Sequence, residues 1–145
     1  DRIEGCPLTV GKLVLSPTRT YAPIIRQVLK EYRGHIQGMI HCSGGAQTKV
    51  LHFIDNLHVI KDNLFETPLL FKLIQQESQT PCSEMYSVFN MGHRMELYVD
   101  ESVADDIISI SKSFNVDAQV IGRVEASDHA QVTVRHEGKE YVYTK

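Results

Sequence analysis

The sequence predicts an α+β fold, a mixed and largely antiparallel sheet covered by helices. Two helical stripes and a β-rich tail carry that expectation. Apolar residues recur at three- and four-residue steps through Tyr21–Tyr32 and again through Glu101–Phe114. From Val116 onward, short extended runs alternate with turn signals, and Glu137-Gly138 marks a closing hairpin. The chain has 145 residues, 42% of them hydrophobic, which is enough for one domain with a core that needs no disulfides.

Taken in order, residues 1–12 carry Gly5, Pro7 and Gly11 and read as a linker or docking arm. The domain proper is expected over 13–145. Lys12–Leu15 is a short apolar run stopped by Ser16-Pro17 and reads as a strand. Tyr21–Tyr32 is a helix with Ile24, Ile25, Val28, Leu29 and Tyr32 on one face and Pro23 in its first turn, where a missing N–H costs nothing. Ile36–Cys42 is extended, and Ser43-Gly44-Gly45 breaks it. A helix is expected from Gln47 to Asp55, a strand over Leu57–Ile60, and a helix from Pro68 to about Gln76. Ser83–Phe89 reads as a short helix with Ser83 as N-cap. Met91–Val99 alternates as a strand does. Glu101–Phe114 bears Val103, Ile107, Ile110 and Phe114 as its stripe, with acids in the first turn. Val116–Glu125, Gln131–His136 and Glu140–Tyr143 complete one sheet, with Asp128 in the turn between the first two.

Charge narrows the function classes. A net charge of −3, from 15 basic and 18 acidic residues, makes no electrostatic case for nucleic acid or an anionic membrane surface. No apolar run approaches the ~18 residues of a membrane helix, and no signal peptide is visible. Cys6, Cys42 and Cys82 form no CxxC pair and read as reduced thiols of a cytoplasmic protein. The histidines show no HxH or HxxxH spacing, so no metal site is expected from this chain. A chain that opens at Asp1 rather than Met leads us to expect an upstream part.

Three segments could carry chemistry. In His41-Cys42-Ser43-Gly44-Gly45-Ala46, paired glycines permit left-handed backbone and close approach, and the following helix start offers free N–H groups. That combination makes an anion cradle, with Ser43 as a hydroxyl donor and His41 as a switchable group and the candidate catalytic residue. A plain tight turn uses the same residues. In Ser16–Tyr21, Thr18 or Thr20 can cap the helix, whereas Arg19 opposes the helix dipole and suits a carboxylate or phosphate contact, or solvent. In Met85–Gly92, Asn90 either takes left-handed backbone at a helix end or points its amide into a cleft. His93 and Arg94 either extend an anion surface or face solvent.

These segments, in this order, resemble the C-terminal domain of the phosphoribosylformylglycinamidine cyclo-ligase (AIR synthase) family. The residues concerned are Pro17-Thr18-Arg19-Thr20-Tyr21, Gly38-Met39-Ile40-His41-Cys42-Ser43-Gly44-Gly45 and Glu84-Met85-Tyr86 to Phe89-Asn90-Met91-Gly92. The family typically reads PTRIY, AHITGGG and EMYRTFNMGIGM there. Val120-Ile121-Gly122-Arg123-Val124 is similar to its closing strand. The likeness spans roughly residues 12–125. It implies an ATP- and Mg²⁺-dependent closure of the imidazole ring of formylglycinamidine ribonucleotide. It also implies an N-terminal domain holding most nucleotide and metal contacts, and a homodimer. Carried over by position, Thr18, Arg19, His41, Ser43, Gly44, Gly45, Asn90 and Gly92 line the cleft, and the glycine loop faces substrate or phosphate. Relatives in the wider ATP-using superfamily, of the amidotransferase, selenophosphate synthetase or thiamine-phosphate kinase type, are the alternative enzymes. A non-catalytic ligand-binding domain is the alternative from another class.

Four departures from the family pattern stand out. Ala46 replaces the third glycine and, resisting positive φ, is expected to reshape the loop. Ser43 replaces Thr. Gln47–Lys49 replaces L-x-E-N, with Lys49 adding positive charge. His93-Arg94 replaces Ile-Gly.

Overall fold

A computed structural model describes residues 6–17 and 19–145. The α+β expectation holds, and the sheet is mixed and largely antiparallel. It is divided in two, however, rather than forming one continuous sheet. Strands β1 (Ile36–His41) and β3 (Met95–Val99) pair antiparallel as a two-stranded sheet. The other four are β2 (Leu57–Lys61), β4 (Gly122–Ala126), β5 (Gln131–His136) and β6 (Lys139–Thr144), in the order β4-β2-β5-β6. Only β2 and β5 run parallel. The β5–β6 hairpin turns at Glu137-Gly138 as expected, both with positive φ (51 and 73°), the geometry that matches strand twist in a two-residue turn.

The helices are α1 (Val10–Val14), α2 (Ala22–Tyr32), α3 (Leu69–Ser78), α4 (Cys82–Val88) and α5 (Ala104–Ser113). A 3-10 helix, Ala46–Phe53, follows β1. The apolar stripes of α2 and α5 face each other: Ile24 and Val28 pack with Val103, Ile107 and Ile110 over one face of the small sheet. A larger core joins Val50, Leu51, Met85, Tyr86 and Met91 to Val59, Val132 and Val134 of the four-stranded sheet.

Five local expectations are corrected. Lys12–Leu15 is not a strand: Thr9 Oγ1 accepts a hydrogen bond from Lys12 N and caps α1, which runs across the boundary expected at residue 12. The segment after the glycine loop is 3-10 rather than α, with Thr48 N donating to Gly45 O at the i to i+3 spacing. Ser83 is not an N-cap, because α4 opens one residue earlier behind Pro81 and Ser83 lies inside the first turn. β3 starts at Met95 instead of Met91, since Met91 and Gly92 adopt positive φ (52 and 114°) and turn the chain. Of Val116–Glu125, only the last part joins the ladder. The Ile121 carbonyl instead accepts from Asp62 N and Asn63 N.

Candidate functional site

β1 delivers the glycine loop to one end of the small sheet. His41 is its last residue, and Cys42 N prolongs the pairing by donating to Arg94 O at 2.7 Å. Ser43 N then folds back to His41 O. Gly45 (φ 83°) and Ala46 (φ 43°) turn the chain into the 3-10 helix with two successive left-handed residues. Ala46 thus adopts the positive φ that alanine resists. Its methyl is buried, and the next residue is anchored on both sides, so the surroundings impose a backbone that alanine disfavours by about 1–2 kcal/mol.

The open side of this loop is polar and cationic. Lys49, one turn on, donates to His41 O at 3.0 Å and to Ser43 Oγ at 2.7 Å, which draws its ammonium onto the loop. The N–H groups of Gly44 and Gly45 donate to no described residue. A Cβ added at Gly44 meets nothing within 4 Å, so a ligand can approach the backbone there. The His41 side chain is exposed at the rim.

The second site segment lies at the end of α4. Asn90 Oδ1 accepts from Gly92 N at 3.0 Å, a side-chain turn that brings the chain round into β3. The left-handed residues are Met91 and Gly92, not Asn90. Gly92 is required twice, by its φ of 114° and because a Cβ there would sit 2.9 Å from Pro68 Cδ.

Between loop and turn lies a buried polar network. Glu96, 5% exposed, accepts from Lys61 Nζ (2.5 Å) and His93 Nε2 (2.8 Å) on Oε1, and from Tyr98 Oη (2.7 Å) on Oε2. Lys61, 1% exposed, donates its other two protons to Gln47 O (2.7 Å) and Gln47 Oε1 (3.1 Å). Gln47, fully buried, donates through Nε2 to Asn90 O (2.6 Å) and toward His93 Nδ1 (3.3 Å). With Nδ1 accepting, the His93 ring carries its proton on Nε2, where it meets Glu96. Burying two opposite charges costs several kcal/mol per ion, and only complete hydrogen bonding offsets it. Among the described residues, no buried side-chain N or O lacks a partner.

The electrostatics follow from this geometry. Burial pushes the Glu96 carboxyl up, but the His93 hydrogen bond and the Lys61 charge outweigh it and hold the group at about 2. Burial first, and then the Glu96 charge, push the Cys42 thiol up to about 12, so it is no nucleophile. The same two causes raise the Tyr98 hydroxyl, which keeps its proton for Glu96. Cys42, His93 and Glu96 place donor atoms within 4.8 Å of one another, the one such group among the described residues. The Lys61 ammonium already sits on Glu96 there and supplies the positive charge that a metal ion would bring.

His41, Ser43, Gly44 and Gly45 thus share one loop, and Gln47 joins that loop to the Asn90–Gly92 turn. Arg19 is exposed and makes no ion pair or hydrogen bond to a described residue, and Thr18 lies outside the described residues. His93 corrects the sequence reading. It is 5% exposed, neither an anion surface nor a solvent-facing residue. Gln47, Lys61 and Glu96 escape sequence reasoning. The signal available for two of them is a charged residue inside an apolar strand pattern, LHVIK and MELYV. Two surface depressions, about 460 Å³ beside Asp62 and Arg135–Glu140 and about 640 Å³ along α2, contain none of these residues.

Residues 3–135 match the family described as AIR synthase related protein, C-terminal domain. The chain belongs to that AIR synthase related family. It is 36% identical over 116 residues to the phosphoribosylformylglycinamidine cyclo-ligase of Methanocaldococcus jannaschii, covering 80% of this chain and 33% of that protein. It is 34% identical over 145 residues to the enzyme of that name from Methanobrevibacter smithii, covering 99% of this chain and 41% of that protein. This AIR-synthase-like chain therefore spans only about a third to two-fifths of the curated relatives' length. The HypE–HypF complex contains a chain of similar fold, with a TM-score of 0.64 at 17% identity, covering 93% of this chain and 47% of that one. HypE of E. coli, a hydrogenase maturation protein, superposes with a TM-score of 0.60 at 15% identity, covering 85% and 38%. These two likenesses concern the fold alone.

Proposed function

We propose that this chain is the C-terminal domain, over 13–145, of a phosphoribosylformylglycinamidine cyclo-ligase. In the full-length enzyme it forms the substrate-side wall of a cleft whose other side is an N-terminal domain. The reaction closes the imidazole ring of formylglycinamidine ribonucleotide in de novo purine biosynthesis. The enzyme is cytoplasmic and a homodimer. No helix among the described residues is long and apolar enough to cross a membrane. The observation that carries this reading is the open, cationic glycine loop, in a chain aligned along 99% of its length with a protein of that name.

The substrate bears a ribose phosphate, an anion that needs several donors at once. The Gly44 and Gly45 N–H groups and the third Lys49 proton would supply them, and the Ser43 hydroxyl would add one by turning from its long 3.5 Å contact with His41 O. Mg²⁺ and ATP belong mainly to the N-terminal domain, and ATP supplies the phosphoryl group that activates the formyl-amide oxygen. The residues of this chain bind and orient the substrate. They hold the loop and the Asn90–Gly92 turn as two fixed lips, and His41 stands at the rim as the candidate proton carrier.

Gly44→Val in the full-length enzyme tests the reading. Because a Cβ at Gly44 meets no protein atom, the thermal midpoint stays within about 2 °C, the scale of a ΔΔG near zero. KM for formylglycinamidine ribonucleotide rises about tenfold, the loss of roughly one charge-assisted hydrogen bond. An unchanged KM would make the loop a turn and no more. Residues 1–145 alone give no ATP-dependent ring closure, since most nucleotide and metal contacts lie elsewhere.

A further inference from the structure

We infer that Gln47 is a positioning residue for substrate binding, its side chain setting the glycine loop and the Asn90–Gly92 turn at one fixed separation, with Lys61 holding its amide in the one orientation that does so. The inference rests on the anion-binding reading of the loop and adds what that reading lacks, a cause for the relative placement of its two lips.

The lips come from distant parts of the chain and different elements. The loop ends β1, whereas the turn leaves α4 and leads into β3; the β1–β3 pairing and the Cys42 N to Arg94 O bond hold their far sides, and Gln47 holds the near side. Gln47 directly follows the left-handed pair Gly45–Ala46, so its anchoring dictates where Gly45 can lie. Its Nε2 donates to Asn90 O, the carbonyl of the first residue of the turn, at 2.6 Å. Among the described residues, this is the one side-chain hydrogen bond that ties the residue after the loop to Asn90. His93, at the far end of the same turn, receives the second amide proton.

A glutamine amide can flip, and here both ends oppose flipping. The Lys61 ammonium takes Oε1 and the backbone carbonyl of the same residue, so a flipped amide would put NH₂ against an ammonium. At the other end, the flip would put a carbonyl oxygen against Asn90 O and the unprotonated His93 Nδ1. Glu96 in turn fixes Lys61 and His93 through one oxygen. Lys61 closes β2 of the four-stranded sheet and Glu96 sits in β3 of the two-stranded sheet, so the clamp references both sheets. Apolar packing could fill this space at lower desolvation cost, but it would not fix an orientation.

The experiment uses the full-length enzyme. Gln47→Glu keeps the volume and the Lys61 contact and replaces the donor to Asn90 with an acceptor. Expected are a KM for formylglycinamidine ribonucleotide raised about tenfold and a kcat within about threefold, a ground-state placement defect. Val50→Ala, a buried packing change in the same 3-10 helix, is the control: it lowers the thermal midpoint as much or more and leaves KM within about twofold. If Gln47→Glu leaves KM unmoved while Gly44→Val raises it, Gln47 is structural only and the inference is wrong. It is equally wrong if Val50→Ala raises KM as much as Gln47→Glu does. An unmoved KM in Gly44→Val removes the anion-binding reading first, and the inference with it. Should Gln47→Glu not fold, Gln47→Met, uncharged and of similar volume, is measured with the same outcomes.

Discussion

Strand β3 separates two interiors of opposite character. Leu97 and Val99 point to the α2–α5 side, where every buried partner is aliphatic. On the other face, Tyr98 donates to Glu96, and Glu96 meets Lys61 and His93, which carry the network on to Gln47. β1 serves both sides as well. Ile36 packs with α2 and α5 and Ile40 with the larger core, although two residues so spaced should share a face. The register shift between Ile36 and Gly38 moves the second half of the strand to the opposite face. The apolar side needs only burial, which is non-directional and tolerant of substitution. The polar side needs every donor and acceptor in place, and it is the side that abuts the glycine loop.

Removing the cation should do the most damage on the polar side. Lys61→Met should destabilise the domain by about 3–5 kcal/mol in urea unfolding, because Glu96 keeps its His93 and Tyr98 donors but is left buried without its cation. Adding Glu96→Gln should recover more than half of that loss, since a neutral amide needs no cation. A second variant that only adds to the damage would show that shape rather than charge holds the site.

Acid titration comes next. The Glu96 carboxyl is held at about 2, below its ordinary 4.5, so its contribution is fully present above pH 4.5 and is lost as pH falls through about 2. The effect at stake is about 3 kcal/mol, and Glu96→Gln should flatten that part of the stability–pH curve. An equally steep curve in Glu96→Gln would assign the acid limb to another group.

On the apolar side, Ile107→Val should cost about 1 kcal/mol, show no dependence on pH between about 2 and 5, and leave KM unchanged. A KM shift there would mean that the two interiors are coupled through β3. The smallest effect belongs to Ala46→Gly. Relief of the positive φ, against a lost buried methyl and a more flexible unfolded chain, should leave stability within about 1 kcal/mol, read from the denaturation midpoint. A loss well beyond that would show the methyl to be a packing element of the loop.

Legibility in the sequence follows the same division. The helices α2 and α5, the hairpin at Glu137-Gly138 and the strand ends near the glycine loop are readable, because periodicity and turn chemistry are local properties. The loop residues and the Asn90–Gly92 turn are readable as motifs. Their connection is not, since Gln47 and Asn90 are 43 residues apart. The strand expected at Lys12–Leu15 fails for a related reason. Apolar runs of that length fit strand and helix alike, and Thr9 capping decides the outcome.

By itself, the amino-acid sequence determined the α+β class, the two amphipathic helices, the closing hairpin at Glu137-Gly138 and the family, all of which rest on neighbouring residues or on motif order. Tertiary structure alone decided that the sheet splits in two, that Ala46 adopts left-handed backbone, and that His93 is buried rather than exposed. It also decided that Lys61, a residue type rarely found inside, is the cation at the centre of the site. The reason is that a buried charge becomes tolerable only when partners from several distant segments arrive together, and no local pattern encodes that arrival.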